Sequence, residues 1–226
     1  MSASDSLDPL TEAAIGRLTF SGLPLLIVDV DEVIVHMARR LTSWMAEQGL
    51  RLDLASYRLG GNIRDARTGE PVPTEAVPAL IQRFFDAEIH RLEVVEHAAA
   101  VIERLQPRWQ VILLTNAPHR HAETRRASLA AQGITASLLT NDGPKGPPVA
   151  LMRQRALAAG APDIVVFIDD SPNNLDSVRA SVPSARLIHF IAHQALRPLV
   201  RDVAGTLLKT GDWLAVEDRL DKLHAG

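Results

Sequence analysis

The sequence predicts an α/β fold, a Rossmann-like parallel sheet with helices on both faces and a small helical unit inserted into it. Three features carry that prediction. Short β-branched runs alternate with helical patterns along most of the chain, as strand–helix–strand units do. The first run, Leu-Leu-Ile-Val-Asp-Val at 25–30, is apolar at nearly every position, as a strand buried on both faces must be. The interval 31–109 breaks the alternation and is far longer than a crossover needs.

Taken in chain order, strands are expected at 25–30, 110–115, 136–140, 164–169 and 186–191. Helical spacing of apolar residues covers 97–105, 122–132 and 149–159, the last two ending at Gly133 and Gly160, where glycine readily takes the left-handed helix stop. Right-handed crossovers would place all strand C-termini along one edge. Within the long interval, 36–49 is amphipathic, and 74–92 is a longer helical pattern containing Phe84 and Phe85. The connection 58–70 is polar and loop-like. The expected division is a core of 1–35 and 97–226 with an inserted helical cap of 36–96, Phe84 and Phe85 forming the cap's own core. Helical patterns at 198–208 and 213–223 would complete and cover the sheet edge, Pro198 suiting a first helical turn. The amphipathic face of Trp213, Leu214, Val216 and Leu220 could support a homodimer, or pack on its own domain.

Composition narrows the function classes. The chain has 226 residues, 46% hydrophobic and 23% charged, an ordinary globular balance. With 24 Lys+Arg against 27 Asp+Glu the formal charge is −3, and no basic block suggests a nucleic-acid polymer as partner. Cysteine is absent, which excludes disulfides, thiolate metal sites and cysteine nucleophiles. The opening residues carry early acids and no apolar segment of signal-peptide type, and the apolar run 23–28 is too short to span a bilayer. The expected setting is cytoplasmic, with no membrane partner.

Chemistry gathers at strand ends. Asp29 and Asp31 close the first buried strand at i and i+2, so both carboxylates point the same way. Like charges that close need a cation or a retained proton. The strand at 164–169 runs straight into Asp169, Asp170 and, four residues on, Asn174. In a parallel sheet both clusters share one edge, where converging carboxylates and amides form a hard-oxygen site suited to Mg²⁺. Asp170 would also serve as a helix N-cap, a role that does not explain two acidic clusters. Thr115 and Asn116 end the second strand, where a hydroxyl and free backbone N–H groups can cradle phosphate oxygens. Lys145, just before a helix, could offset the charge of a carboxylate and a phosphate.

The order Asp-x-Asp, Thr, Lys, Asp-Asp-x-x-x-Asn, from about residue 25 to 174, resembles the four motifs of the haloacid dehalogenase-like hydrolase superfamily, in its phosphatase branch. The long insertion after the first motif is similar to the helical cap of one large class of these enzymes. The resemblance implies that Asp29 is the nucleophile, Asp31 the general acid/base and Lys145 the residue steadying the nucleophile. It implies that Thr115, with Asn116, contacts the transferring phosphoryl group. It assigns Mg²⁺ to the Asp29 carboxylate, the Asp31 backbone carbonyl and Asp170, supported by Asp169 and Asn174. Asp31 points away from dehalogenation, because members that cleave carbon–halogen bonds lack it. Glu32 stands where many relatives have glycine, and Asn174 where aspartate is frequent.

The activity implied is Mg²⁺-dependent hydrolysis of a small phosphorylated metabolite or nucleotide through an aspartyl-phosphate. Asn62 and Arg64, then Arg67, are the cap residues expected to meet substrate, while His119, Arg120 and His121 are expected at the surface or pocket mouth. Four other readings compete. A phosphomutase would use the same two aspartates, and a phospho-ligand-binding protein would keep the fold without turnover. A phosphate-accepting receiver domain would carry its paired acids on the first strand and lack the insertion. A phosphonatase would want a cap lysine, yet no Lys lies between Asp31 and Lys145.

Overall fold

The computed structural model describes residues 7–53 and 59–224. Met1–Ser6 and the residues 54–58, including Arg58 at the start of the polar connection, lie outside the described residues. In chain order the elements are α1 (Pro9–Gly16), β1 (Leu25–Val28), α2 (Met37–Glu47), β2 (Leu50–Leu52), β3 (Ile63–Asp65), α3 (Val77–Glu88) and α4 (Ala98–Leu105). There follow β4 (Gln110–Thr115), α5 (Ala122–Ala131), β5 (Ser137–Thr140), α6 (Gly146–Ala158), β6 (Val165–Asp169), α7 (Pro172–Ser181), β7 (Arg186–Phe190), β8 (Leu208–Thr210) and α8 (Trp213–His224).

The main sheet is six-stranded and parallel, in the order β5-β4-β1-β6-β7-β8. The chain leaves β1 toward β4 and β5, then returns to place β6 on the other side of β1. The reversal of direction falls between β1 and β6, where an open parallel sheet has its binding crevice. Val28 pairs with Ile168, and the Asp29 amide donates to the Ile168 carbonyl at 2.8 Å. The register therefore sets the acids that follow β1 beside those that end β6.

Both faces of the sheet are covered. Ile27, Ile112, Leu114 and Phe167 pack with Val149, Met152, Leu175 and Val178 of α6 and α7. Leu26, Val28, Leu113 and Ile168 face the other way, into a larger cluster with α4 and α8 that continues into the inserted segment. Burial on both faces is what makes the central strands apolar throughout.

The segment between β1 and β4 holds α2, α3 and a small antiparallel β2–β3 sheet in which Arg51 faces Arg64. Phe84 is fully buried there, with its ring 5.6 Å from Trp44 edge-on and 5.7 Å from Phe85, so these aromatics are core. The chain enters and leaves this segment side by side. Val35 and Val94 form an antiparallel bridge, the His36 amide donates to the Glu93 carbonyl at 2.9 Å, and the Val95 amide donates to the Ile34 carbonyl at 2.8 Å.

The structure departs from the sequence expectations in two places and fills in two that were left open. The helix expected at 198–208 is instead a 3₁₀ run, Gln194–Leu199, with irregular chain leading to β8. Val200 and Val203 are buried and mimic helical spacing, but Pro198 has no N–H to donate and Gly205 turns left-handed at φ 70°. The connection 58–70 contains β3 rather than loop alone. The first twenty residues, for which no role was expected, include α1, capped by Asp8 accepting from the Thr11 amide at 2.7 Å. The Thr11 hydroxyl donates to the Thr140 carbonyl at 2.9 Å, fixing α1 to the edge strand β5. Finally, Trp213, Val216 and Leu220 are fully buried against the chain's own core, the Trp213 Nε1 donating to the Val33 carbonyl at 3.0 Å. Of that face, only Leu214 stands exposed, at 45%.

Candidate active site

A cavity of about 300 Å³ opens over the C-terminal ends of β1 and β6. Asp29, Asp31, Lys145, Asp170 and Asn174 form its floor, with Asn116 and Asn62 also on the lining. Asp29 sits one residue past β1, buried, and burial pushes its carboxyl up to about 7 against the opposing pull of the Lys145 ammonium. The neighbouring carboxylates of Asp169 and Asp31 add to that push.

Lys145 immediately precedes α6 and is itself buried. Its ammonium donates to Asp29 Oδ1 and, at 2.8 Å, to Asp169 Oδ2. Burial alone would lower the lysine's pKa, but these two carboxylates outweigh it and hold the group charged. What positions the lysine is the approach of α6 to α7. The Gly146 amide donates to Ser177 Oγ at 2.9 Å, and a Cβ at Gly146 would lie 2.3 Å from the Ser177 carbonyl oxygen.

Asp169 does not line the cavity; it lies beneath it and is fully saturated. Besides Lys145, it accepts from the Ser171 amide at 2.8 Å and from Asn174 Nδ2 at 3.1 and 3.2 Å. Asp170 is held from behind by His189 of β7, whose Nε2–H donates to the Asp170 carbonyl at 3.0 Å. Burial pushes that imidazole's pKa down. One oxygen from each of Asp29, Asp169 and Asp170 lies within 4.8 Å of the others. The Lys145 ammonium is shared between Asp29 and Asp169, with Asp170 beside them. An all-oxygen donor set of this kind fits a hard divalent cation such as Mg²⁺.

Asp31 stands in the cavity wall with its carboxylate gripped from behind. Arg125 Nη2 donates to Oδ1 at 2.6 Å, and Thr115 Oγ1 donates to Oδ2 at 3.2 Å. Arg125 is 1% exposed, and its Nε and Nη1 have no hydrogen-bond partner among the described residues. Sequence reasoning missed it. The available signal was its place three residues after Ala122 and four before the buried Leu129, on the core-facing side of α5, where a cation needs a reason.

Thr115, expected to meet the phosphoryl group, is fully buried and off the cavity lining. It binds Asp31 and accepts from the Ala117 amide at 3.0 Å. Asn116 does reach the cavity, and its Nδ2 donates to the Gly143 carbonyl at 2.9 Å. Arg64 is also off the lining; it pairs with Asp53 at 3.3 Å and donates to the Gly69 carbonyl at 3.1 Å. Arg67 is an exposed turn residue whose amide donates to Asp65. Arg120 and His121 meet Asp86 of α3, the arginine at 2.7 Å and the histidine at 2.8 Å, joining the core to the inserted segment. His119 contacts Thr140 Oγ1 at 2.7 Å and lies 3.0 Å from Asp8.

Glu32, the residue in the usual glycine position, adopts φ 63° and is buried. Its Oε1 accepts from the Ala38 amide at 2.5 Å, in the first turn of α2, and its backbone carbonyl accepts from the Ala192 amide at 3.2 Å. Oε2 has no partner among the described residues, and burial pushes the carboxyl up to about 7. A left-handed non-glycine backbone costs on the order of 1 kcal/mol or more, and the two accepted amides offset it. Glu32 thereby ties the start of α2 to the segment following β7.

No family model matches the chain, and no curated protein matches it. Solved structures do. A haloacid dehalogenase (HAD) family hydrolase from Deinococcus radiodurans R1, solved with bound phosphate and sodium, is 17% identical, with TM-score 0.60 over 90% of this chain and 97% of its own. A haloacid dehalogenase-like protein of unknown function from Agrobacterium tumefaciens is 14% identical, with TM-score 0.60 over 90% and 100%. A predicted phosphoglycolate phosphatase from Haemophilus somnus is 10% identical, with TM-score 0.57 over 88% and 99%. These likenesses establish that the chain has the haloacid dehalogenase-like fold.

Proposed function

We propose, from a fold shared with haloacid dehalogenase-like hydrolases, that this chain is a Mg²⁺-dependent phosphomonoester hydrolase with Asp29 as covalent nucleophile. In this reading residues 36–96 form a cap over the catalytic core, and the substrate is a small phosphorylated molecule. The single observation that carries it is the convergence of Asp29, Asp169 and Asp170 oxygens within 4.8 Å, with Lys145 bonded to the nucleophile.

In the first step an Asp29 oxygen forms a bond to phosphorus as the bond to the ester oxygen breaks, giving an aspartyl-phosphate. Asp31 gives its proton to the departing alkoxide. In the second step water attacks phosphorus, the Asp29–phosphorus bond breaks, and Asp31 takes the water's proton. Orthophosphate leaves and both carboxyls return to their starting states. Lys145 keeps Asp29 anionic and in place, countering the upward push of burial. Thr115 and Arg125 orient Asp31. Mg²⁺, held by Asp29, Asp170 and the Asp31 backbone carbonyl, would neutralise charge on the phosphoryl oxygens. Asn174 and Asp169 support that site, and Asn116 is placed to meet the phosphoryl group.

The deciding experiment is phosphate release from a panel of phosphomonoesters, with Mg²⁺ or EDTA, for wild type and Asp29→Asn. Metal-dependent release lost in the variant is the expected result. No release from any ester, despite measurable Mg²⁺ binding, would replace this reading with a phospho-ligand-binding protein.

A further inference from the structure

The cavity has two chemically different ends. Its floor is the carboxylate and lysine cluster, and the rest of its described lining is mostly hydrocarbon: Met37 and Leu41 of α2, Leu52 of β2, Leu59, and Leu196 from the 3₁₀ run, with Ala38 between them. Five of these six come from the cap, so the surface facing the nucleophile from above is apolar. A phosphomonoester bound through its phosphoryl group at Asp29 must lay its alcohol portion against that surface.

The charges near the alcohol portion point the same way. Among the described residues, Lys145 is the one cation on the lining, and it is already bonded to Asp29 and Asp169. Glu32 presents a further buried carboxyl, with one oxygen unpartnered. A second anionic group on the substrate would be desolvated against leucines and a glutamate. Arg64, the cap cation expected to meet substrate, is instead paired with Asp53. The amide of Asn62 allows one polar contact on an otherwise greasy wall.

We infer that the leaving group is an uncharged, predominantly apolar alcohol small enough to share a cavity of about 300 Å³ with the phosphoryl group, and that Leu41 and Leu52 read it. This inference rests on the hydrolase reading, and it goes beyond it by naming the substrate class. Sugar phosphates, bisphosphates and carboxylated phosphate esters are correspondingly poor substrates.

A ladder of n-alkyl phosphates from ethyl to hexyl tests this with leaving groups of nearly constant basicity. The expected result is kcat/KM rising by roughly 4-fold per methylene, until the cavity is filled. A terminal carboxylate on the longest member should cut kcat/KM by on the order of 100-fold. In Leu41→Ser, and separately in Leu52→Ser, the gain per methylene should shrink, carried mainly by KM. A flat ladder, or preference for glucose 6-phosphate or phosphoglycolate over hexyl phosphate, would overturn the inference and leave the hydrolase reading standing. Absence of phosphate release from every ester would overturn both.

Discussion

Arg125 and Asp31 are joined at 2.6 Å, a buried guanidinium from α5 holding the one carboxylate of the site that is both 17% exposed and free of Lys145. The bond fixes which way the Asp31 carboxylate faces the cavity. In Arg125→Met the carboxylate loses that restraint, and kcat should fall on the order of 10²-fold, as for other misplaced catalytic groups. KM should stay near the wild-type value, because the arginine does not line the cavity. Arg125→Lys should recover part of the loss. Steady-state kinetics on one ester decides the matter: equal kcat in wild type and Arg125→Met would show that Asp31 needs no such partner.

Asp29→Asn separates chemistry from stability. Hydrolysis should fall by on the order of 10⁴-fold or more, since the proposed nucleophile is gone. In metal-free buffer, however, the thermal midpoint should match or exceed that of wild type. The substitution removes one of the clustered carboxylates that burial and mutual repulsion disfavour. A marked fall in the melting midpoint would mean that the Lys145–Asp29 pair holds the fold together as well as the site.

Gly146→Ala should damage stability and catalysis together. The added methyl would meet the Ser177 carbonyl and the Ser181 hydroxyl, both at 2.3 Å. Such overpacking costs about 2 kcal/mol, or roughly 6 °C in Tm for a chain of this size. Because Lys145 is the adjacent residue, the shift should also lower kcat. If the melt moves and kcat does not, the lysine is anchored by its carboxylates alone.

Glu32→Gln gives a pH signature. The folded carboxyl titrates at about 7 against a usual value of 4.5. Between those values the folded state keeps a proton that the unfolded chain has released, so stability falls as pH rises. Glutamine has no such proton to lose. Melting curves in EDTA should show the variant gaining on wild type from pH 5 to pH 8. A constant gap across that range would mean that Glu32 is ionised in the folded protein.

The fold was readable in the sequence wherever one physical cause dominated. Strands such as 25–30 and 164–169 are buried on both faces, so their apolar runs stood out and their acidic ends marked one sheet edge. The meeting of Asp29, Asp169 and Asp170 followed from that edge, whereas Lys145 stood out only through the order of the motifs. Short β8 did not show, because its three residues carry no period and the valines before it imitate a helix. Arg125 and the inward turn of Thr115 depend on side chains meeting across 94 and 84 residues of chain, which spacing alone does not encode. Arg64 was misjudged for the opposite reason, since its partner Asp53 lies on the neighbouring strand segment and takes up its charge locally.

The paired crossing at Val35 and Val94 has a mechanical consequence. Two separate linkers would leave the inserted segment tied to the sheet at two independent points. Two segments stitched by the His36–Glu93 and Val95–Ile34 hydrogen bonds act as one double-stranded tie, which resists shear better than either strand would by itself. Met37 and Leu41 follow that tie directly in the chain, so their distance from Asp29 depends on it. Residues at the crossing, off the cavity lining themselves, thereby help to set the width of the cavity.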